Sequence, residues 1–520
     1  MTPAPSAPQR IVVIGGGISG LATAALLAAD GHTVSLIESR DELGGRAGRY
    51  QRDGFTFDTG PSWYLMPEVF DHFFRMLGSS SEQELDLVRL DPGYRVYFEG
   101  DAERFDLPAE GAREAIIDLD PASREGLTRY FDSAAETYDI ATKQFLYTNF
   151  SSLTGLVDAD TVKRLPRLLR LLAQPLDRFI AAHSPSKRVQ QVLGYLSVFL
   201  GTSPAAAPSM YHLMSHLDVD QGVLYPQGGF STVIFAIERL ARAHGVEILT
   251  GTRATRITVE NNRATGVDAV RDGASVHFDA DVVVSTADLD ITENTLLDKP
   301  EHRSTSTRWW KKRNPGPGAV LALLGVEGEL PQLAHHTLLF ADRWEEGFDA
   351  IYGDEPHIPD PASLYICRPS ATDDTVAPVG HENLFVLVPV PADPGIGSGG
   401  DDGAGHERVE RTVDAAIAQI SEWAGIPDLA DRIVVRHSIG PADFEREYGS
   451  WRGGAIGPAH TLQQSAFFRG STRSRKVDGL LYAGATTVPG VGLPMCLISA
   501  ELVLKRMRDD QSAGPTETAA

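Results

Sequence analysis

The decapeptide Ile11–Gly20, IVVIGGGISG, joins a short apolar run to the Ala- and Leu-rich segment Ile18–Ala29. The apolar run predicts a buried strand, and the segment after it predicts a helix. Gly15, Gly17 and Gly20 form the pattern G-x-G-x-x-G at the junction. The first glycine permits a tight turn, the second lets a pyrophosphate approach the backbone, and the third lets the helix pack close to the strand. The free N–H groups at the start of the helix would face the phosphates.

Thr33–Glu38 predicts a second strand after this helix, and Glu38 ends it. A carboxylate in that place accepts hydrogen bonds from ribose hydroxyls. Because strand, helix, second strand and acid follow in the right order, we predict a parallel crossover unit that binds a dinucleotide rather than a plain glycine turn. The next segment, Leu43–Arg46, offers two glycine N–H groups and the Arg46 guanidinium to an anion. A surface turn with a solvated arginine would explain that segment equally well.

The charge and cysteine content of the chain exclude several function classes. Its 520 residues carry 47 Lys and Arg against 70 Asp and Glu, a formal net charge of −23, which argues against nucleic-acid binding. The two cysteines, Cys367 and Cys496, exclude a disulfide scaffold or a Cys-rich zinc site and fit a reducing compartment. His212 and His216 have i, i+4 spacing but no evident third ligand, so we predict no metal site. The absence of an apolar run of about 18 residues predicts no transmembrane helix.

Further motifs along the chain form an ordered set. They are Gly15–Gly20, Glu38, Gly44–Arg46, Phe57–Pro61, Tyr225–Gly229, His335–Thr337, Tyr365, Asp373–Gly380, Gly484–Thr486 and Pro489–Pro494. The set resembles the FAD-dependent amine oxidase-like flavoproteins, and within them the bacterial phytoene desaturase branch of carotenoid biosynthesis. The sequence departs from that pattern at Ile456, where an aromatic residue is expected, and at Gly470, where proline is expected. Both departures bear on the choice of substrate or product.

The resemblance implies FAD as the bound redox group and assigns its contacts residue by residue. At the adenosine end, Gly15, Gly17 and Gly20 would hold the pyrophosphate, Glu38 would bind the adenosine ribose and Ala254 would face the adenine. Gly45 and Arg46 would lie near the pyrophosphate or the flavin, and Gly60 would lie beside the flavin. Gly484 and Ala485 would lie near the ribityl chain, and Gly492, Pro494 and Met495 would lie near the flavin ring. A helix beginning at Pro494 would also aim its positive N-terminus at the negative charge of a reduced flavin and so favour hydride acceptance. A glycine turn before an amphipathic helix is the alternative interpretation.

Strand patterns at both ends of the chain flank a helical middle. Together with the resemblance they predict an α/β fold with a discontinuous Rossmann-like FAD-binding domain, a mixed-sheet substrate domain and a helical membrane-facing insertion. We place the FAD-binding domain at 10–95, 221–300 and 441–510, the helical substrate and membrane region at 96–220, the substrate sheet at 301–440 and a disordered tail at 511–520.

The activity implied by the resemblance is carotenoid desaturation, most simply from phytoene to lycopene by successive hydride transfers to FAD. Alternatives in the same chemistry are a 3,4-desaturase, a C30 diapophytoene desaturase and a flavin-dependent carotene isomerase. Alternatives with a different chemistry are an amine or porphyrinogen oxidase and a non-enzymatic lipid escort protein. The flavin carries the chemistry, so we assign no catalytic side chain, although His335, His336, Asp373 and Asp374 could line the cleft. The sequence contains no G-x-S-x-G elbow that would support a hydrolase.

Two basic segments favour contact with a membrane surface. Thr161–Leu200 has several cations opposite a leucine face, with Pro166 and Pro175 expected to keep its helix short. Arg308–Arg313, RWWKKR, places two tryptophans beside cations, which suits the headgroup region. A buried core under a solvated cationic face is the alternative for each segment. Because an apolar C40 polyene dissolves in the bilayer, we expect a cytoplasmic protein attached peripherally to the inner face of the cell membrane. The oligomeric state stays open.

Overall fold

The computed structural model describes residues 7–149 and 159–517. A five-stranded parallel sheet organises the first large domain. In spatial order its strands are Leu480–Tyr482, Val282–Ser285, Arg10–Ile14, Thr33–Ile37 and Glu247–Leu249. Neighbouring strands come from the end, the middle and the beginning of the chain, which confirms the predicted α/β class with a discontinuous Rossmann-like domain.

The helix Ile18–Ala29 packs against the closing helix Leu493–Met507 and against the helix Ser231–Ala243. Most of its residues are buried, as its Ala- and Leu-rich composition predicts. Gly20 permits the close approach of this helix to the turn before it, because a β-carbon at Gly20 would lie 1.8 Å from the Gly15 carbonyl oxygen. The third glycine of the motif therefore serves the packing of the domain.

The second large sheet is mixed and has seven strands. In spatial order they are Ile433–Ile439, Gly318–Glu327, His381–Val390, Leu364–Cys367, His336–Phe340, Tyr94–Phe98 and Phe105–Leu107. The sheet thus takes two strands from outside the predicted 301–440 segment, and the predicted boundary at 96 cuts through the first of them. Tyr94–Phe98, YRVYF, has the aromatic and β-branched content of a strand, a signal that the prediction of a helical region passed over.

Smaller sheets and helices complete the described fold. The remaining strands are Arg49–Arg52 with Phe55–Asp58, Leu87–Arg89 with Leu224–Pro226, and the antiparallel set Thr252–Glu260, Arg263–Arg271 and Ala274–Asp279. The other α-helices of five or more residues are Pro67–Met76, Ala112–Asp118, Arg124–Gln144, Ala159–Ala173, Leu176–Ala181, Lys187–Gly194, Thr307–Lys311, Trp344–Tyr352, Glu407–Trp423 and Pro441–Tyr448. Within residues 7–149 and 159–517, none of the helices combines the length and apolar content that crossing a bilayer requires.

The basic helix in the middle of the chain is longer than predicted. Ala159–Ala173 runs through Pro166 instead of stopping there. Leu168 is buried and Arg167 forms an ion pair with Glu136, so tertiary contacts offset the hydrogen bond that proline removes. The side chains of 159–165, which include the cations Lys163 and Arg164, lie outside the described residues.

The described part of the tail predicted to be disordered, 511–517, makes hydrogen bonds with the closing helix. The buried Lys505 ammonium donates a hydrogen bond of 3.1 Å to the Ser512 carbonyl and another to the Gly514 carbonyl. The Thr516 N–H donates to the buried Glu501 carboxylate at 2.7 Å. A polar composition predicted a frayed end, but two buried charges on the closing helix need partners and the tail supplies them.

Candidate functional site

The first glycine-rich turn and the closing helix meet at one large cavity of about 1000 Å³. Gly15 and Gly17 contribute to its wall from one end of the chain, and Gly492 and Pro494 contribute from the other. The strands that precede these two segments belong to the same parallel sheet. In such sheets the carboxyl ends of the strands share one edge, and ligands bind in the crevice at that edge.

The glycine turn leaves space where side chains would otherwise stand. Gly15 has φ +102°, in the left-handed region that favours glycine. Gly17 has the ordinary φ of −71°, and the nearest described atom outside its own chain segment to a β-carbon there would be the Gly44 carbonyl oxygen at 3.8 Å. Its missing side chain therefore keeps part of the cavity free. Ile18 and Ser19, in the first turn of the helix, also line the cavity, where unpaired N–H groups attract anions.

The carboxylate of Glu38 is buried beside this turn and is held by backbone groups. One oxygen accepts from the Gly16 N–H at 2.6 Å. The other accepts from the Arg40 N–H at 2.8 Å and from the Ser39 hydroxyl at 3.1 Å. These bonds fix the orientation of the carboxylate on the cavity wall, which it lines together with Ser39 and Arg40. A fixed acceptor in that place suits ribose hydroxyls.

Arg46 provides a positive charge to the same cavity. Its guanidinium donates to the Ser450 hydroxyl, while its Nε is buried without a hydrogen-bond partner in the part of the chain that the structure describes. Gly60 allows the segment Phe57–Pro61 to lie close to Arg46, because a β-carbon at Gly60 would lie 1.9 Å from the Arg46 carbonyl oxygen. An incompletely paired, partly buried guanidinium is suited to a phosphate or another anion.

A buried histidine holds the closing loop in place. His460 accepts a hydrogen bond from the Val491 N–H through Nε2 at 3.1 Å, so its proton lies on Nδ1 and is donated to the Tyr211 hydroxyl at 2.8 Å. Burial lowers the pKa of His460 well below its usual value and keeps the ring neutral. Gly492 follows with φ +107°, and the helix Leu493–Met507 starts directly after it.

A buried arginine, Arg469, holds the loop that contains Ala485 and Thr487 through hydrogen bonds to its carbonyl oxygens. Arg469 donates to the carbonyl oxygens of Ala485 at 2.5 Å and Thr487 at 3.0 Å, and to those of Gln464 and Pro458 at 3.2 Å. Burial lowers the pKa of this guanidinium to about 10, so it remains charged at neutral pH. It therefore fixes the loop and places a cation near this end of the cavity.

The rest of the cavity has apolar and aromatic walls, which include Trp63, Tyr195, Phe199, Phe340, Trp344 and Tyr365. The ring centre of Trp63 lies 5.4 Å from that of Phe199 and 6.2 Å from those of Tyr195 and Tyr365. The Tyr365 hydroxyl forms hydrogen bonds of 2.7 Å with Ser62 and with His336. One end of the cavity is thus suited to an anionic dinucleotide, and the other end is suited to an apolar molecule.

Comparison with known proteins agrees with this geometry. The family of flavin-containing amine oxidoreductases matches residues 18–503. This chain belongs to that family. Within it, the carotenoid 3,4-desaturase of Haloarcula japonica is 39% identical over 507 residues, covering 96% of this chain and 98% of its own. The zeta-carotene-forming phytoene desaturase of Myxococcus xanthus is 34% identical over 510 residues, covering 96% of this chain and 94% of the Myxococcus protein.

These relatives confirm the predicted carotenoid desaturase branch of the amine oxidoreductase family. A solved structure of an oxidoreductase from Methanosarcina mazei has a TM-score of 0.61 at 16% identity, covering 95% of this chain and all of the other, and shares the fold.

The flavin of this protein is FAD, and the described residues fit it. The glycine turn supplies a cradle that a side chain at Gly17 would occupy. The incompletely paired Arg46 suits the negative charge of a pyrophosphate, and the fixed Glu38 carboxylate suits a ribose. The individual contacts remain predictions, but the donor set needed for the cofactor is present on one wall.

Most of the predicted cofactor residues line this one cavity. They are Gly15, Gly17, Glu38, Gly45, Arg46, Gly60, Ala254, Gly484, Ala485, Gly492, Pro494 and Met495. Gly20 does not line it and instead packs the helix against the turn.

His335, His336, Asp373 and Asp374, which the sequence left as candidates to line the cleft, do not line the cavity. His335 and His336 are buried behind the aromatic wall. The Asp373 carboxylate accepts hydrogen bonds from the Tyr225 hydroxyl at 3.0 Å and the Gly228 N–H at 2.6 Å. It therefore holds the Tyr225–Gly229 segment instead of facing the ligand. The strand pattern could not reveal which side of the sheet would face the cavity.

Proposed function

We propose that this protein is an FAD-dependent carotenoid desaturase that converts phytoene to lycopene. The observation that carries the proposal is the continuity between the glycine turn, which suits a dinucleotide, and the aromatic cavity beyond it. The bound flavin supplies hydride acceptance from a saturated carbon flanked by double bonds. A long apolar polyene has no polar group for a protein to bind, so shape and burial must position it.

The contribution of the chain is to hold the polyene against the cofactor and to keep water out. Trp63, Tyr195 and Phe199 form rigid aromatic walls with few rotatable bonds, which limits the positions open to the polyene. His460 and Arg469 fix the loops on the cofactor side of the cavity. The walls that would hold the polyene and those that would hold the flavin are therefore both ordered. Removal of water strengthens the electrostatic interactions at the reacting carbon atoms.

A later carotenoid is the second candidate substrate. The Haloarcula relative is named a carotenoid 3,4-desaturase and is more similar to this chain than the Myxococcus phytoene desaturase. Ile456 lines the cavity at a position where the resemblance leads us to expect an aromatic residue, so the cavity is altered at a point that the polyene could contact. The same fold and cofactor would serve either reaction.

Expression in two carotenoid-producing hosts separates these candidates. In a host that accumulates phytoene, we expect the protein to produce lycopene, detected by pigment chromatography. In a host that accumulates lycopene, a product with a longer chromophore, combined with unchanged phytoene in the first host, would assign 3,4-desaturation instead. Bound FAD with no change in either polyene would contradict desaturation of both.

We also propose peripheral attachment at the inner face of the membrane, through the cations of Arg308–Arg313 and a neighbouring apolar loop instead of through the tryptophans of that segment. Trp310 is only 6% exposed and belongs to the core, so the tandem tryptophans do not form a headgroup anchor. Arg313 lies over the Trp309 ring and donates to the carbonyl oxygens of Gln463 and Phe468. The basic segment is thereby joined to the loop 461–468.

That loop exposes large apolar side chains next to cations. Leu462, Phe467 and Phe468 are 46%, 45% and 60% exposed, and Lys311 and Lys312 are exposed beside them in the chain segment that Arg313 anchors. On its inner side the loop meets the cavity wall, because the Ser465 hydroxyl bonds the Tyr211 hydroxyl at 3.1 Å. Exposed apolar side chains with adjacent cations suit an anionic bilayer surface.

Replacing Phe467 and Phe468 together with serine is expected to weaken binding to phosphatidylglycerol-containing vesicles by about 100-fold, because each phenylalanine loses apolar burial of about 1.5 kcal/mol. Co-sedimentation with vesicles measures the effect. Phe235→Ser is the matched control, since Phe235 has the same 45% exposure but lies on another helix. Equal binding by the double variant and the control would contradict this surface.

A further inference from the structure

Three side chains with metal-ligating atoms lie together behind the aromatic wall of the cavity. A ring nitrogen of His335, a ring nitrogen of His336 and the Cys367 sulfur all lie within 4.8 Å of one another. All three residues are buried, with at most 4% exposure. The fold brings them together because His336 and Cys367 are direct neighbours across the antiparallel strands His336–Phe340 and Leu364–Cys367.

Both imidazoles have bonding capacity that no described protein group uses. Nδ1 of His335 is bonded to the Thr372 hydroxyl at 2.9 Å, and Nδ1 of His336 is bonded to the Tyr365 hydroxyl at 2.7 Å. Nε2 of each ring is buried and has no hydrogen-bond partner among the described residues. A buried polar group without a partner costs about 1–3 kcal/mol, so two such atoms in contacting rings call for an explanation.

We propose that His335, His336 and Cys367 bind a zinc ion. Imidazole and thiolate are the ligands that zinc prefers, at distances of about 2.0–2.3 Å. Side chains that start within 4.8 Å need a small inward rotation to reach such distances. On binding, the Cys367 thiol releases its proton to solvent and its sulfur forms the bond to zinc, without any redox change. Water would fill the fourth tetrahedral position.

The charges around the cluster are compatible with a bound cation. Arg368 follows Cys367 in sequence, but its guanidinium is paired with Glu382 at 2.7 Å. The buried carboxylate of Asp58 interacts electrostatically with the Cys367 thiol. The Cys367 thiolate would offset one of the two charges of zinc, which lowers the cost of burying the ion.

The ion would have a structural effect on the cavity. The His336 ring is stacked on the Trp63 ring at 4.4 Å with an interplanar angle of 11°, and Trp63 lines the cavity. A metal bond to the imidazole would fix this ring pair and link two strands of the seven-stranded sheet. The inference goes beyond the proposed desaturation and does not depend on it. The prediction of no metal site was based only on the spacing of His212 and His216.

Metal analysis of the full-length holoprotein tests the proposal on the wild type alone. We expect one zinc ion per chain after dialysis against micromolar zinc chloride and then against metal-free buffer. We also expect thermal unfolding at a higher temperature with zinc than after treatment with a chelator. Substitution by Co²⁺ should add d–d bands at longer wavelengths than flavin absorbs, together with a thiolate charge-transfer band.

Variants then assign the ligands. Cys367→Ala and His336→Gln are expected to lose the zinc and the cobalt bands, whereas Cys496→Ala, which removes the other buried cysteine, should retain both. A zinc-free wild type under these conditions would overturn the proposal, and so would Cys367→Ala protein with wild-type zinc content. Because the readouts are metal content and spectra, they are independent of carotenoid turnover.

Discussion

Gly17→Ala is expected to give a folded protein that purifies with little or no flavin. The backbone at Gly17 has φ −71° and ψ 175°, which alanine adopts without strain, and the nearest atom to its β-carbon would be 3.8 Å away. The protein itself therefore has room for the methyl group. The cofactor does not, because the methyl would stand in the cavity at the glycine turn, where the pyrophosphate is predicted to approach the backbone.

We expect FAD affinity to fall by about 10-fold to 100-fold, which corresponds to a steric conflict of about 1–3 kcal/mol. Titration of the apoprotein with FAD, followed by flavin fluorescence, measures the affinity. Circular dichroism and thermal unfolding of the apoprotein should match the wild-type apoprotein, since glycine and alanine at a helix N-cap differ by only about 1 kcal/mol. Full flavin content in Gly17→Ala would contradict the predicted pyrophosphate position.

Gly20→Ala adds the same methyl group three residues later and is expected to damage the fold. Its β-carbon would lie 1.8 Å from the Gly15 carbonyl oxygen and 2.8 Å from the Thr286 hydroxyl. Neither the backbone oxygen nor the helix can move without separating Ile18–Ala29 from the sheet. We expect a loss of about 3 kcal/mol or more in the free energy of unfolding, seen as a lower Tm or as insoluble protein.

The two substitutions control for each other because they add the same group to the same motif. Gly17→Ala should affect cofactor affinity and spare apoprotein stability, and Gly20→Ala should lower apoprotein stability before any cofactor is added. Equal thermal stability of the two apoproteins would show that Gly20 does not pack the helix as described. The pair therefore separates the binding role of the motif from its structural role.

The sequence predicted the part of the site that is built from local structure. Gly15, Gly17 and Glu38 lie within one crossover unit, so their spacing is sufficient to place them. His460 and Arg469 were missed because they act through backbone groups of a distant loop, and no spacing rule links a side chain to such carbonyl oxygens. The sequence shows His460 and Arg469 only as single residues in a segment with few helices or strands, and no motif marks them.

The incorrect prediction of a tryptophan anchor has a related cause. Tryptophans beside cations in Arg308–Arg313 predict an interfacial anchor only if the rings face outward, and sequence does not show which face of a five-residue helix is buried. Trp310 packs on Trp451 at 4.9 Å between ring centres, a contact across 141 residues that is fixed by tertiary structure. Burial decided between the two interpretations that the sequence had left open.

The order of strands in the parallel sheet has a consequence for biosynthesis. Val282–Ser285 lies between Arg10–Ile14 and Leu480–Tyr482, so the sheet cannot be completed until the residues up to Tyr482 have left the ribosome. Contacts between such distant segments form late and leave an unpaired edge exposed meanwhile. The nascent protein would therefore complete its cofactor site only after Leu480–Tyr482 has emerged from the ribosome, and a chain that stops before residue 480 would leave Val282–Ser285 open to association with other unfinished chains.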